Sequence, residues 1–335
     1  MKKGLLWLAA AIVAFLAGCG AETVENEGNA DSEEKLAIYT TLYPLQDFTE
    51  KIGGDLVQVE SLLAPGTDAH TFEPTSNTMV DIAQADAFIY LEAGLESYAD
   101  KIAGAVKTED VSMLEAGNGS AFITSAHDHH HEEEADHSDH DHGDDAHAHE
   151  EDEAGEEEHD HGDFDPHIWL DPNRSIGLAE NIKDELVSLM PEQEKVFNEN
   201  FEKLKAQLES LDEEFHQIEQ EYQDKQILVS HAAFGYWENA YGIEQIAVSG
   251  VSTASEPSQK QLEYIIDEAR EHDLHYILFE QNVTPRVAEV VQKEVGAETL
   301  RIHNLAVLTE EDIQNEEDYF SLMEQNLETL KIALQ

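Results

Sequence analysis

Short apolar runs alternate with amphipathic, helix-like stretches along most of the chain. In the first half, strands are predicted over residues 36–43, 56–63 and 87–91, and helices over 45–52 and 78–85. Pro44 is expected to end the first strand, and the glycines at 53 and 54 to stop the helix after it. This alternation predicts an α/β lobe with a mostly parallel sheet.

The same alternation restarts in the second half of the chain. Strands are predicted over residues 226–230, 245–248, 276–279 and 299–303, and helices over 232–241, 259–272, 284–295 and 319–334. The two halves are similar in extent. We therefore expect an α/β fold of two similar lobes, each a mostly parallel sheet flanked by helices.

Two helical patterns occupy the middle of the chain. The first covers residues 176–189 and ends near Pro191, and the second covers 192–222. Apolar residues in the second pattern keep steps of three and four: Phe197, Phe201, Leu204, Leu208, Leu211, Phe215 and Ile218. A helix of this length would measure roughly 45 Å, which suits a rigid rod along or between two lobes. The predicted division is a first lobe at 36–191, the long helix at 192–222 and a second lobe at 223–335.

The N-terminus has the pattern of a secretion signal. Met1 is followed by two lysines and an apolar run over residues 4–17, which is too short for the roughly 30 Å hydrocarbon core of a bilayer. The run leads into Leu16-Ala17-Gly18-Cys19, which resembles the bacterial lipobox. We expect residues 1–18 to be a lipoprotein signal peptide, Cys19 to carry the lipid anchor, and 19–35 to be an acidic tether. Cys19 is the only cysteine in the sequence, so no disulfide is expected.

Charge and histidine are concentrated in one insertion. The chain carries 18 Lys and Arg against 74 Asp and Glu, a net charge of −56, which disfavours nucleic acid as a partner and favours cations. Residues 127–165 hold 11 His, 19 Asp and Glu, and no Lys or Arg, a composition typical of a disordered segment. Its histidines are His127, His129, His130, His131, His137, His140, His142, His147, His149, His159 and His161. The segment is interpreted either as a low-affinity metal collector or as a solvated spacer.

Four side chains outside this segment are candidate metal ligands. His70 and His167 lie in loops of the first half, while His231 and Glu280 directly follow predicted strands of the second. Ligands in open α/β sheets bind beyond the carboxyl ends of strands, so a cleft between the lobes could collect all four. Three imidazoles and a carboxylate would complete a tetrahedral zinc site with no open position, which favours holding the metal over catalysis.

Simpler interpretations of these residues remain open. Each histidine could be a hydrogen-bonded turn residue, and Glu280 could pair with Arg286 or Arg301. The other histidines outside the insertion are expected to be structural or surface residues: His216, His272, His275 and His303. The sequence lacks the His-Glu-x-x-His pattern of zinc hydrolases, so we do not expect an enzyme.

Four motifs follow one another along the chain: PGTDAHTFEP (65–74), DPHIWLDP (165–172), SHAAFGY (230–236) and FE (279–280). In this order they resemble the ZnuA/TroA-like family of metal-binding lipoproteins of ABC importers. The resemblance covers the chain from Leu36 to its end, and implies that His70, His167, His231 and Glu280 are the metal ligands. It also implies two α/β lobes joined by one long helix. Ala69 departs from the proline that usually precedes the first histidine.

The resemblance implies a function as well as a fold. It indicates a monomeric lipoprotein on the extracytoplasmic face of the membrane that captures Zn²⁺ and delivers it to an ABC permease. Manganese members carry a carboxylate at the third ligand position, where this chain has His231, and nitrogen ligands favour zinc. A manganese carrier of the same family and a surface adhesin are the alternatives.

Overall fold

The computed structural model describes residues 35–91, 94–124, 164–255, 257–282 and 286–335. The predicted signal peptide, the lipidation site Cys19 and the histidine-rich segment from His127 to His161 lie outside the described residues. Of the described helices, none combines the length and hydrophobicity that a membrane span requires.

The described residues form an alternating series of strands and helices. The strands are β1 (Leu36–Thr40), β2 (Val57–Ser61), β3 (Ala87–Tyr90), β4 (Ser112–Glu115), β5 (Gln226–His231), β6 (Glu244–Ser249), β7 (Tyr276–Glu280) and β8 (Glu298–Ile302). The helices are α1 (Tyr43–Gly53), α2 (Ser76–Ile82), α3 (Ala99–Val106), α4 (Pro172–Leu189), α5 (Glu194–Glu221), α6 (Gly235–Tyr241), α7 (Gln259–Glu271), α8 (Arg286–Val295), α9 (Glu310–Gln314) and α10 (Tyr319–Ala333).

The strands make two four-stranded sheets of the same topology. The order is β2-β1-β3-β4 in the first lobe and β6-β5-β7-β8 in the second, and every pairing is parallel. In the second lobe Leu228 pairs with Ile277 and Val229 with Leu278. Continuing this register by two residues places His231 beside Glu280 at the carboxyl ends of the two central strands. The prediction of two similar lobes, each with a parallel sheet, is confirmed.

The element boundaries near the start of the chain differ from the prediction. β1 ends at Thr40 rather than at residue 43, and Pro44 lies in the first turn of α1. Proline is accepted there because the first helical N–H groups have no partner within the helix. α3 and β4 were not predicted. β4 is an edge strand whose four residues are all half-buried, so its hydrophobic alternation is weak.

Helix α5 supplies the core that both lobes share. Its seven apolar residues in steps of three and four are all buried, and it packs against α1 and α4 of the first lobe and α6 and α10 of the second. The other residues of the helix are mostly polar or charged and face outward. The predicted long helix is therefore present. A 3-10 turn over Pro191–Gln193 precedes it, so the α-helix starts at Glu194 rather than 192.

The C-terminal helix connects the second lobe back to the first. Its first residue, Tyr319, is buried against Phe48 of α1 and donates a 2.6 Å hydrogen bond to the carbonyl of Trp169. Just before it, Asp318 accepts a 2.9 Å bond from Lys51 of α1. These contacts fix the two lobes around the loops that carry the candidate ligands.

Candidate metal centre

The four predicted ligands come from four different parts of the fold. His231 and Glu280 are the last residues of β5 and β7. His70 lies in the loop between β2 and α2, and His167 immediately precedes a 3-10 turn that leads into α4. α4 begins there because Asp171 caps it by accepting from the Arg174 backbone, with Pro172 in the first turn.

The tertiary structure brings the three histidines together. The nearest ligand atoms of His70, His167 and His231 all lie within 4.8 Å of one another, and their ring centroids are 5.0 to 5.4 Å apart. His167 and His231 are buried, whereas His70 is half-buried. Within the described residues, these three form the group of metal-ligating side chains that could hold an ion.

Glu280 joins the group through His231. Its Oε1 lies 2.7 Å from Nδ1 of His231, and its Oε2 accepts a hydrogen bond from the amide of Asn304. The carboxylate is fully buried. Arg301, one of the two arginines considered as a partner, instead donates to the backbone carbonyl of Glu280. The structure therefore places the Glu280 side chain at the histidine cluster.

Burial and the partner's charge shift the pKa values of His231 and Glu280 in opposite directions. Burial works to lower the pKa of His231, but the Glu280 carboxylate outweighs it and holds that pKa above its ordinary value. Burial also works to raise the pKa of Glu280, yet the His231 ring brings it below the usual range. Each side chain of the pair therefore favours the charged form of the other. His70 differs, because burial and the two neighbouring rings lower its pKa to about 2, which keeps it neutral.

His70 and His167 share a local hydrogen-bond pattern that was not predicted from the sequence. Asp68 and Asp165 each stand two residues before a histidine, and each carboxylate accepts the backbone N–H of that histidine, at 3.0 Å for His70 and 2.9 Å for His167. The signal was visible in the sequence as a repeated Asp-x-His. Asp165 also lies 2.7 Å from Nδ1 of His167, which leaves Nε2 of that ring for a metal ion.

The loop after β8 supplies further support that local patterns could not indicate. Asn304 binds the Glu280 carboxylate, exchanges hydrogen bonds with Gln281, and accepts at its carbonyl from the Trp169 indole at 2.8 Å. The next residue, Leu305, is fully buried with a φ of 60°. An asparagine in a loop with no repeated pattern gives no signal of this role.

The remaining described histidines lie outside the cluster, as the sequence analysis expected. His216, His272 and His275 are at least part-exposed and lie near acidic neighbours on the surface. His303 is buried, but it serves the structure, since its Nδ1 accepts from the Leu305 backbone and its Nε2 lies 3.2 Å from Asp312.

The histidine-rich segment leaves and re-enters the fold beside the candidate site. Thr124 and Phe164 pair as an antiparallel bridge, and the Asp165 N–H donates to the carbonyl of Ile123 at 2.9 Å. His167 follows two residues later. The segment itself, with its predicted low-affinity metal histidines, is not among the described residues.

The donor set fits a zinc ion. A tetrahedral zinc with bonds of about 2.1 Å places its ligand atoms about 3.4 Å apart, so small side-chain rotations would bring the three histidine nitrogens into range. Comparison with known proteins decides the family. A family model described as "ZnuA: Zinc-uptake complex component A periplasmic" matches residues 38–333. The chain belongs to this family.

Individual relatives agree with this assignment. The chain is 34% identical, over 99% of its length, to the "Zinc-binding lipoprotein AdcA" of Streptococcus pneumoniae (strain ATCC BAA-255 / R6), of which it spans 61%. It is 30% identical to the "High-affinity zinc uptake system protein ZnuA" of Bacillus subtilis (strain 168), covering 98% of this chain and 97% of that protein.

A solved structure supports the fold in the same way. The Zn(II)-bound ZnuA-like domain of Streptococcus pneumoniae AdcA is 31% identical to the chain, and the match covers 90% of this chain and 99% of that one with a TM-score of 0.70. The ZnuA-like fold, with its two parallel sheets and its long linking helix α5, is therefore established for this chain.

Proposed function

We propose that this chain captures Zn²⁺ from the extracytoplasmic space and delivers it to an ABC permease for uptake. The ligands are His70, His167, His231 and Glu280. The observation that carries the proposal is the convergence of three histidine nitrogens within 4.8 Å beside a buried carboxylate. The names of the relatives, zinc-binding and zinc-uptake proteins, agree with this cargo.

The chemistry of the site favours holding zinc over turning over a substrate. Three neutral imidazoles and one carboxylate leave a net charge of about +1 when Zn²⁺ is bound, in a buried setting that screens charge poorly. All four tetrahedral positions are filled by protein, so no position remains for an activated water. The nitrogen-rich set also suits zinc better than manganese, which prefers oxygen ligands.

Calorimetry on the purified protein tests the ligand assignment. The His231→Ala variant should lose tight zinc binding, because one nitrogen is removed and Glu280 is left buried without its partner. His275→Ala is a matched control, since that histidine is 71% exposed and precedes β7 at the end of the strand opposite Glu280. Tight binding retained in His231→Ala would overturn the site assignment.

Competition between Zn²⁺ and Mn²⁺ for the purified protein distinguishes a zinc carrier from a manganese carrier of the same family. Protein loaded with Zn²⁺ should retain it against an excess of Mn²⁺, and protein exposed to both should carry zinc. Preferential loading with manganese would favour the alternative within the same family. An adhesive role would require binding to host or matrix proteins that persists in the His231→Ala variant.

Membrane attachment and the histidine-rich segment have their own tests. A lipid on Cys19 would anchor the protein to the outer surface of the membrane, so Cys19→Ala should release it into the medium. We expect the anchored protein to be a monomer. We assign the histidines between His127 and His161 to low-affinity zinc collection. Deleting that segment should lower zinc stoichiometry, spare one tight site and slow growth when zinc is scarce. Normal growth of the deletion strain would leave the segment as a spacer.

A further inference from the structure

The loop that carries His70 has little structure of its own. Between the end of β2 at Ser61 and the start of α2 at Ser76 there is no helix or strand. Its internal backbone bonds are short-range, such as Thr67 N–H to the Ala64 carbonyl at 3.0 Å. His70 is also the one proposed ligand that is half-buried rather than buried. This segment, residues 62–75, is called the His70 loop below.

Three loops of the second lobe hold the His70 loop from across the cleft. Thr253, after β6, donates to Oδ2 of Asp68 at 2.7 Å, and Asn282, after β7, donates to the Thr67 carbonyl at 3.1 Å. The Gly66 N–H donates to the carbonyl of Leu308, after β8, at 2.8 Å. These three hydrogen bonds tie the loop that carries His70 to the second lobe.

Asp68 links Thr253 of the second lobe to the backbone of His70. One oxygen of its carboxylate accepts the Thr253 hydroxyl, and the other accepts the backbone N–H of His70. A single side chain thus joins the second lobe to the ligand. The loop after β6 also reaches the other side of the site, because the carbonyl of Val251 lies 2.7 Å from Nε2 of His231. The loop after β6 therefore contacts His231 directly and His70 through Asp68.

We propose that Thr253 and Asn282 are positioning residues that latch the His70 loop against the second lobe and set the rate at which bound zinc leaves. The proposal rests on the proposed function, because it concerns release from the same site. His70 is the least buried of the four proposed ligands, so release begins when its loop swings away. That motion breaks the hydrogen bonds from Thr253 and Asn282.

The loss of one latch hydrogen bond should be measurable. Removing one part-buried hydrogen bond should speed zinc release roughly fivefold to tenfold, which corresponds to about 1 to 1.4 kcal/mol. Neither residue touches the metal, so the rate of zinc capture should change much less than the rate of release.

Rapid mixing of the zinc-loaded full chain with excess chromogenic chelator measures release directly. Thr253→Val keeps the side-chain shape and removes the hydroxyl, and should release zinc faster. Thr253→Ser restores the hydroxyl and should recover the wild-type rate, which a role in packing alone would not predict. Thr108→Val is the matched control, because that threonine is exposed and its hydroxyl donates to the neighbouring Glu109.

A second variant distinguishes the loss of a hydrogen bond from a folding defect in Thr253→Val. Asn282→Ala removes the other side-chain bond and should also speed release, and the double variant should exceed either single one. Thermal denaturation of each variant confirms that it is folded. If wild-type protein binds zinc but both latch variants release it at the wild-type rate, the latch is refuted while the proposed function stands. If the wild type binds no zinc, the proposed function and the latch both fall.

Discussion

Nδ1 of His231 lies 2.7 Å from Oε1 of Glu280, so two of the four proposed ligands are bonded to each other inside the protein. The other ring nitrogen of His231 lies 2.7 Å from the carbonyl of Val251. Two acceptors around one ring are both satisfied when each nitrogen carries a proton, in keeping with the raised pKa of His231. A metal ion bound to this ring has to replace a proton.

Zinc binding should therefore release protons near neutral pH. Because the pKa of His231 is raised, the ring stays protonated at and somewhat above pH 6.5, and zinc affinity should fall as pH drops through that range. Calorimetry at pH 6.5 in buffers of different ionisation enthalpy should show binding heats that depend on the buffer, because protons are released as zinc binds. Glu280→Gln removes the charge that raises the pKa, so its proton release should shrink. Binding heats that do not depend on the buffer would contradict this account.

The Asp165 carboxylate should matter for affinity although it is not a proposed ligand. It lies 2.7 Å from Nδ1 of His167 and fixes which nitrogen faces the site. Asp165→Asn should weaken zinc binding roughly 10- to 100-fold, as measured by competition with a chelator of known affinity. Asp267→Asn, on the exposed surface of α7, is the control and should bind like the wild type. Equal affinity in both variants would show that His167 needs no such support.

Asp47 should make folding stability depend on pH. Burial, only partly offset by Lys51, raises its pKa to about 6 from a model-peptide value of 3.8. Because the folded value is raised, the stabilisation from protonated Asp47 is full below about pH 3.8 and is lost as pH rises through about 6. Asp47→Asn removes this loss and should be more stable than the wild type at pH 7, by up to about 3 kcal/mol.

Urea unfolding at pH 4.5 and pH 7 measures the effect of Asp47. The wild type should lose more stability than Asp47→Asn between the two values. Asp55→Asn is a suitable control, because Asp55 is exposed close to the same helix. If the free energy of unfolding changes with pH in the same way for the wild type and Asp47→Asn, ionising the buried Asp47 carboxylate does not destabilise the fold.

The core of α5 should be sensitive to loss of volume. Leu208 is fully buried in the middle of the helix, whereas Val196 near its start is 39% exposed. Leu208→Ala should lower the free energy of unfolding by about 2 to 5 kcal/mol, and Val196→Ala by less than about 0.5 kcal/mol. Urea denaturation of both variants provides the comparison. Similar losses would mean that the buried stripe of α5 is loosely packed.

Hydrophobic periodicity predicted most of the fold because each element carries its own signal. The steps of three and four from Phe197 to Ile218 describe a helix face that any partner would bury. The signal fails where no position is fully buried and the alternation is weak, which is why β4 at the sheet edge escaped prediction. It also misplaces boundaries where one residue suits two roles, as Pro44 suits both the end of a strand and the first turn of a helix.

The sequence by itself determined which side chains could bind a metal, and its two Asp-x-His pairs held an unused signal for the local support of His70 and His167. That support is a local property, since each aspartate is only two residues from its histidine. Only the tertiary structure decided that His70, His167 and His231 meet, that Glu280 pairs with His231, and that Thr253 reaches Asp68 across the cleft. Such contacts join segments far apart in the chain, and among 74 acidic residues no local pattern marks the ones that two packed lobes bring together.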